Sequence, residues 1–343
     1  MFQPHTAFRR DQLAARLLAL VTLALVASCG ACGGGSSVPA PPVDLPAFDS
    51  TSAFADLTAQ CAFGPRDPGS KGHDAQLAWM KTTLHPLAAR VVLQPYTLST
   101  PYGGPYDFEN VLAAFSEGQP GPITMLCAHW DTRPVADEDL LPANQHTPIL
   151  GANDGASGVA ILLQLARIFH AQAPPHPVYL VFLDAEDSGK LGAPGIYEGF
   201  CLGTAYLAQN WPAGLPRPTR GILLDLVGGV AKHDARLGNP RGSVDHLDLP
   251  MEGNSLQYAP TLVDEVWTRA AQVGATAFRR ASGQSIIDDH MPFNQASPPI
   301  PTIDLIQTPF PAVWHTVDDT PEYCSASALA QVGKTLVAVI YGS

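Results

Sequence analysis

Four short runs of this chain are apolar without alternation, and the first three stop at a residue able to carry charge or bind a metal. Residues 123–127 lead into Ala128-His129, residues 178–183 into Asp184 and residues 221–224 into Asp225, and residues 303–306 are a fourth candidate. A strand with one wet face alternates apolar and polar side chains, whereas a strand covered on both faces does not. The runs therefore predict a largely parallel sheet with helices on both sides. Amphipathic helices are predicted around Val159, Leu162, Leu163, Ala166 and Phe169, around Leu262, Val263, Val266, Trp267 and Ala270, and around Leu329, Val332, Leu336 and Val339. Trp267 reads as core packing. The expected fold class is α/β: a three-layer αβα sandwich around a central mixed, mostly parallel twisted sheet. Stretches 134–148, 188–200 and 231–258, rich in Gly, Pro and polar residues, read as loops. They lie over the carboxyl edge, where open α/β sheets bind ligands.

The N-terminus is not part of that domain. Arg9 and Arg10 precede an apolar run over 17–27 that ends in Val26-Ala27-Ser28-Cys29. A basic region, a short apolar core and small residues before a cysteine form an export signal. The run is too short to cross a bilayer stably. The triplet before Cys29 resembles a bacterial lipobox, so residues 1–28 are expected to be a lipoprotein-type signal peptide and Cys29 the acylated residue. An ordinary secretory signal is the alternative. Gly30, which is not Asp, favours the outer membrane by the same resemblance. Residues 29–46 are a Gly-, Ser- and Pro-rich tether. The expected location is exported, periplasmic or outer-membrane, with membrane contact only through the lipid anchor. Residues 47–343 remain for one α/β domain, expected to be a monomer.

A formal net charge of −12 argues against nucleic acid as a partner, because a phosphate backbone needs a basic footprint. In an oxidising compartment Cys61, Cys127, Cys201 and Cys324 have up to two disulfides open to them, with three pairings. No CxxC pair occurs, which disfavours a thiolate zinc site.

Six groups of polar residues are expected where the chain leaves strands: His129-Trp130-Asp131, Asp154, Asp184-Ala185-Glu186-Asp187, Asp225, Asp288-Asp289-His290 and Trp314-His315-Thr316. Carboxylates and imidazoles converging on one sheet edge suit zinc, which takes O and N ligands and keeps a position open for chemistry. Each group also has an ordinary structural reading. Asp154 stands at the mouth of a helix and reads equally as a cap. Asp131 is placed to orient the His129 imidazole from behind. In the 184–187 run one carboxylate can hold a metal while its neighbour exchanges protons, two tasks a single group cannot combine.

The order and local sequence of these groups, with Gly64-Pro65-Arg66, Gly69-Ser70, residues 151–158, Leu224-Asp225-Leu226 and Pro309-Phe310-Pro311, resemble the zinc aminopeptidase and glutaminyl cyclase superfamily. The animal-type glutaminyl cyclases and their bacterial relatives are the most similar branch, through Asp288-Asp289-His290 and Phe310 to Thr316. The resemblance implies a zinc-dependent catalytic domain over 47–343 that acts on peptide or protein N-termini. It implies one Zn2+ held by Asp154, Asp187 and His315, with Glu186 as general acid/base. Asp225 and Asp288 would be the supporting acids, and Trp314 and Phe310 would line the substrate pocket. The implied reaction turns N-terminal glutamine into pyroglutamate and releases ammonia. Two departures stand out: Asp187 replaces the usual glutamate ligand, and the loop after it lacks the tryptophan of the animal enzymes.

Two other functions stay open. In a two-zinc aminopeptidase, His129 and Asp225 would hold the second metal and Asp154 would bridge. In a non-catalytic ectodomain on the same fold, the ligands would have no chemistry to do. A hydrogen bond from Asp288 to Asp225, drawing that carboxylate away from metal, is the expected mark of the cyclase.

Overall fold

The computed structural model describes residues 45–190, 199–229 and 246–342. The expected signal segment (1–28), Cys29 and all but the last two residues of the tether lie outside the described residues. Among those described, no helix is long and apolar enough to cross a membrane.

All four continuous runs are strands of one sheet. They become β3 (Thr124–His129), β4 (Val178–Leu183), β5 (Arg220–Asp225) and β8 (Thr302–Ile306), after an N-terminal hairpin of β1 (Arg90–Thr100) and β2 (Gly103–Phe115). The order across the sheet is β1-β2-β4-β3-β5-β8. The four strands from β4 to β8 are parallel, while β2 pairs antiparallel with both β1 and β4. The hairpin was not among the predicted strands. β1 alternates partly buried and exposed residues and carries Pro95, as an edge strand can.

Every residue of β3 and β4 is buried, so both faces must be covered. On one face Leu126, Ala128, Leu180, Phe182, Ile222, Leu224 and Leu305 pack with Leu57 of α1 (Ser50–Ala62), with α3 (Ala156–Ala171) and with α8 (Ala326–Tyr341). On the other, Met125, Cys127, Val181, Leu183 and Leu223 meet Leu207 of α4 (Leu202–Gln209) and Phe293 of α7 (His290–Gln295). Successive side chains of each strand thus enter opposite cores, giving the expected three layers. Trp267 is a core residue of α6 (Pro260–Gln272). Helix α2 (Lys71–Leu84) starts at Ser70, whose hydroxyl accepts from the His73 amide. Gly158 lets α3 lie close on the sheet, since a Cβ there would stand 2.5 Å from the Leu224 carbonyl oxygen.

Two local expectations change. The described part of stretch 231–258 contains a short strand, β6 (Leu249–Met251), and a helix, α5 (Gly253–Tyr258), where only loop was expected. Asp288-Asp289-His290 does not leave a strand of the central sheet. It opens α7, after β7 (Phe278–Ser282), which pairs with β6 in a separate two-stranded sheet.

Candidate metal centre

Parallel pairing brings strand ends together. His129 lies beside Leu183, and β5 runs alongside β3, so His129, the 184–187 turn and Asp225 share one edge. Asp184, first of its run, turns away from the pocket. Its carboxylate lies 3.0 and 3.1 Å from His73 Nε2 and accepts the Glu109 amide at 2.7 Å, tying the hairpin and α2 to β4. Ala185 then adopts a left-handed backbone (φ 56°), which reverses the chain and sends Glu186 and Asp187 inward. Leu226 (φ 51°) and His315 (φ 55°) do the same beside the other groups. Such a conformation costs a non-glycine residue about 1–2 kcal/mol, and with Cys201 (φ 53°) four occur around one site. The Asp131 carboxylate holds the reversed turn by accepting the amides of Glu186 (3.0 Å) and Asp187 (3.2 Å). The same carboxylate stands 3.6 Å from His129 Nδ1, behind the imidazole as expected but beyond hydrogen-bond distance.

Asp154, Asp187 and His315 meet, with one ligand atom from each inside a 4.8 Å span and all three residues buried. His315 Nε2 is 3.7 Å from Asp154 Oδ2 and 3.5 Å from Asp187 Oδ1. Asp154 Oδ2 and Asp187 Oδ2 are buried with no hydrogen-bond donor. Of the two oxygens nearest His315 Nε2, Asp154 Oδ2 has no donor while Asp187 Oδ1 takes one from Arg133. Two carboxylates and one imidazole this close suit a divalent cation such as zinc. The shorter arm of Asp187 therefore reaches the group. Asp154 is not a helix cap: that position belongs to Gly155, at φ 99°, where a Cβ would stand 2.5 Å from the Asp131 carbonyl oxygen.

A second tier fixes these ligands, and the sequence reading did not single it out. Asp319 accepts the amides of Asn153 (2.9 Å) and Asp154 (3.0 Å). Buried Arg66 donates to the carbonyls of Trp130, Leu150 and Gly151, pinning both loops. Arg133, also buried, donates to Asp187 Oδ1 at 2.9 Å and grips Asp137 with two bonds of 2.7 Å. Asp137 in turn stands 3.5 Å from His315 Nδ1, behind the imidazole. Burial drives the Asp187 carboxyl up to about 7, while His315 and Arg133 pull it down. Burial also pushes Asp154 upward, but the bond from His129 and the charges of His129 and His315 hold it below its ordinary value. Asp137 was legible only as part of the polar stretch 134–148 read as loop, and Arg133, just before it, was not singled out.

The second expected group forms around the other oxygen of Asp154. His129 Nε2 lies 3.2 Å from Asp154 Oδ1 and 3.2 Å from Asp225 Oδ1. Burial disfavours its charge, yet the surrounding carboxylates of Asp131, Asp154 and Asp225 raise its pKa well above the usual value. A proton on His129 lets Nε2 bond Asp225 in this group, while buried Nδ1 keeps no hydrogen-bond partner. The expected hydrogen bond from Asp288 to Asp225 is replaced. Asp225 turns to His129, while Asp288 accepts the Asp289 amide at 2.5 Å and lies close to Asp304 and His290.

Half-buried Glu186 sits beside these groups with a carboxyl pushed well up, first by burial and then by the charges of Asp187 and Asp288. Asp288 is raised by burial and by Asp225. Glu186, Asp288 and Cys201 bring one ligand atom each within 4.8 Å. Phe310 and Trp314, both half-buried, lie 4.5 Å apart, and Trp314 stacks on the His315 ring at 3.6 Å, so they form a wall beside the metal group. Behind Asp288 lies a buried network of Asp304, His290 and Glu252 that the sequence reading did not single out, apart from His290. Glu252 accepts amides of Asn254, Ser255 and Ile286. Cys61, Cys127, Cys201 and Cys324 are all buried and free, so none of the three disulfide pairings forms.

Known proteins resemble this chain in sequence and fold. A glutaminyl-peptide cyclotransferase-like protein of Mus musculus is 32% identical over 283 residues, covering 74% of this chain and 66% of the relative, so the chain spans about two thirds of that protein's length. A crystal structure of Bacteroides thetaiotaomicron glutaminyl cyclase bound to N-acetylhistamine is 36% identical, with a TM-score of 0.78 over 88% of this chain and 100% of that one. A second structure from the same organism, described as a leucine aminopeptidase precursor, is also 36% identical, with a TM-score of 0.79 over 88% of this chain and 100% of that one. The profile of peptidase family M28 matches residues 110–340, from β2 to the end of α8. A sheet of this order, with its polar groups at the carboxyl edge and that match, identifies the chain as a member of peptidase family M28.

Proposed function

We propose that this chain is a zinc-dependent glutaminyl-peptide cyclotransferase, which closes the N-terminal glutamine of a peptide onto itself and releases ammonia. The observation that carries it is the difference between the two groups sharing Asp154. Asp154, Asp187 and His315 keep buried acceptor oxygens without donors, whereas His129 already bonds Asp225. That favours one metal, and a one-metal site beside an unligated glutamate is the cyclase arrangement. The mouse and Bacteroides relatives support the substrate.

What bound zinc contributes is Lewis-acid polarisation of the γ-carboxamide carbonyl. Everything else falls to the chain. Phe310 and Trp314 wall the pocket in which the glutamine side chain folds back on its own amine. Glu186, its carboxyl pushed well above the usual range by burial and by the charge of Asp187, takes a proton from the α-amine as nitrogen closes on the γ-carbon. It returns a proton to the departing nitrogen, so one C–N bond forms, one breaks, and NH3 leaves. Asp225 and Asp288 hold the proton balance around Glu186. The nucleophile is tethered to its target, so positioning supplies much of the acceleration.

A two-zinc aminopeptidase is the second reading. It is favoured by the His129, Asp154 and Asp225 group and by the neighbour described as a leucine aminopeptidase precursor. The protein, incubated with Gln-initiated and Leu-initiated peptides, decides between them. Loss of one ammonia from the first supports the cyclase, and release of free leucine without cyclisation reverses the assignment. The proposal extends to location: residues 1–28 direct export, and acylated Cys29 anchors a monomeric periplasmic or outer-membrane lipoprotein. Cys29→Ala should then move the protein from the membrane to the soluble fraction, and an unchanged membrane fraction would count against the anchor.

A further inference from the structure

Cys201 opens α4 and takes part in neither a disulfide nor the metal group. It nonetheless meets Glu186 twice. Its amide donates to the Glu186 carbonyl oxygen at 2.8 Å, and its thiol donates to Glu186 Oε1 at 3.5 Å. The neighbouring Leu202 amide bonds the Ala185 carbonyl at 3.0 Å, so the start of α4 is stitched to the turn that carries Glu186. Cys201 reaches this place through a left-handed backbone (φ 53°), a conformation that glycine adopts freely and other residues do not. The site thus keeps a side chain where backbone preference favours none. That side chain is fully buried, and its Sγ stands within 4.8 Å of both the Glu186 and Asp288 carboxylates. Burial, and then the charge of Glu186, push the thiol well above its ordinary pKa, so it stays a protonated donor and is inert as a nucleophile.

We propose that Cys201 is a positioning residue for Glu186: its thiol proton fixes Oε1 and leaves the other carboxylate oxygen free to take the proton from the substrate amine. The proposal rests on the assignment of Glu186 as general base. A thiol suits the task physically. It is a weak donor, so it orients a carboxylate while lowering its proton affinity little.

The test compares Cys201→Ala, Cys201→Ser and Cys201→Gly in the full protein, measuring kcat, KM, zinc content and thermal unfolding. Alanine and serine are similar in size, so they separate the donor from the volume. Removing the donor in Cys201→Ala should lower kcat about tenfold, equivalent to about 1.4 kcal/mol. KM and zinc content should stay unchanged, and Cys201→Ser should recover most of the loss. Cys201→Gly relieves the left-handed backbone, which guards against a folding failure in the alanine variant, and should show the same kcat deficit. Equal losses in Ala and Ser, wild-type kcat in Ala and Gly, or a change confined to KM or zinc content would each overturn the proposal. The comparison is made on whichever reaction the wild type performs, cyclisation or release of leucine. A wrong activity assignment is therefore seen in the wild type, and a wrong role for Cys201 only in the variants.

Discussion

Two groups share one carboxylate and differ in what they lack. Around Asp154 Oδ2, the Asp187 and His315 side chains bring acceptors and an imidazole to one point, and two of the oxygens have no donor. Around Asp154 Oδ1, His129 stands 3.2 Å from two carboxylates and bonds one of them. Ligand types are alike in the two, so inventory does not distinguish them. Hydrogen-bond accounting does, because a buried acceptor left without a partner costs more than a made bond returns. On the proposed reading the first group takes a cation, and the second keeps its His129–Asp225 hydrogen bond.

The largest expected effect comes from exchanging the two histidines. His315→Ala removes a proposed ligand and should abolish zinc retention through dialysis. His129→Ala touches only the far oxygen of Asp154 and should weaken zinc by about 10–100-fold, as loss of an outer partner does. Equal zinc loss in both variants would erase the distinction. Glu186→Gln comes next: kcat should fall about 10²–10⁴-fold, the usual contribution of a positioned acid/base, with zinc retained. A metal-free Glu186→Gln protein would move Glu186 into the ligand set.

The smallest effect sharpens the comparison by leaving both groups alone. Glu252 is buried, yet His290 and the amides of Ile286 and Asn254 outweigh its desolvation and lower it from 4.5 to about 2. A depressed folded-state pKa gives stability that is present above the unfolded value and lost as pH falls through the folded one. The Glu252 contribution should therefore be complete above about pH 4.5 and disappear towards pH 2. Glu252→Gln should cost roughly 3 kcal/mol at neutral pH, given about 1.4 kcal/mol per unit, and flatten the acid limb of the unfolding curve. Unchanged zinc content is part of the expectation, and a steeper acid limb would contradict it.

The central sheet was legible because double burial leaves a mark in composition. Val178 to Leu183 has no polar residue, so both faces had to be covered. The edge strand β1 mixes Pro95, Gln94 and Thr97 with apolar residues and gave no such mark. Asp154, Asp187 and His315 were found through resemblance, since each alone reads as a cap, a turn or a core histidine. Asp184 and Asp187 are chemically alike in sequence, and only the left-handed turn at Ala185 sends them to opposite sides. Arg133 and Asp137 stayed hidden because their partners come from distant segments: the Asp187 bond spans 54 residues. Asp288 was given a partner in Asp225 that it does not take, because sequence order cannot say that the turn into α7 sets it beside Asp304.

The most direct measurement is the zinc content of the purified wild-type protein by elemental analysis. About one zinc per chain is the expected result, lost on chelation together with turnover and restored by zinc alone. Two tightly held zinc ions per chain would contradict it, because the His129, Asp154 and Asp225 group would then hold a metal where a proton is assigned.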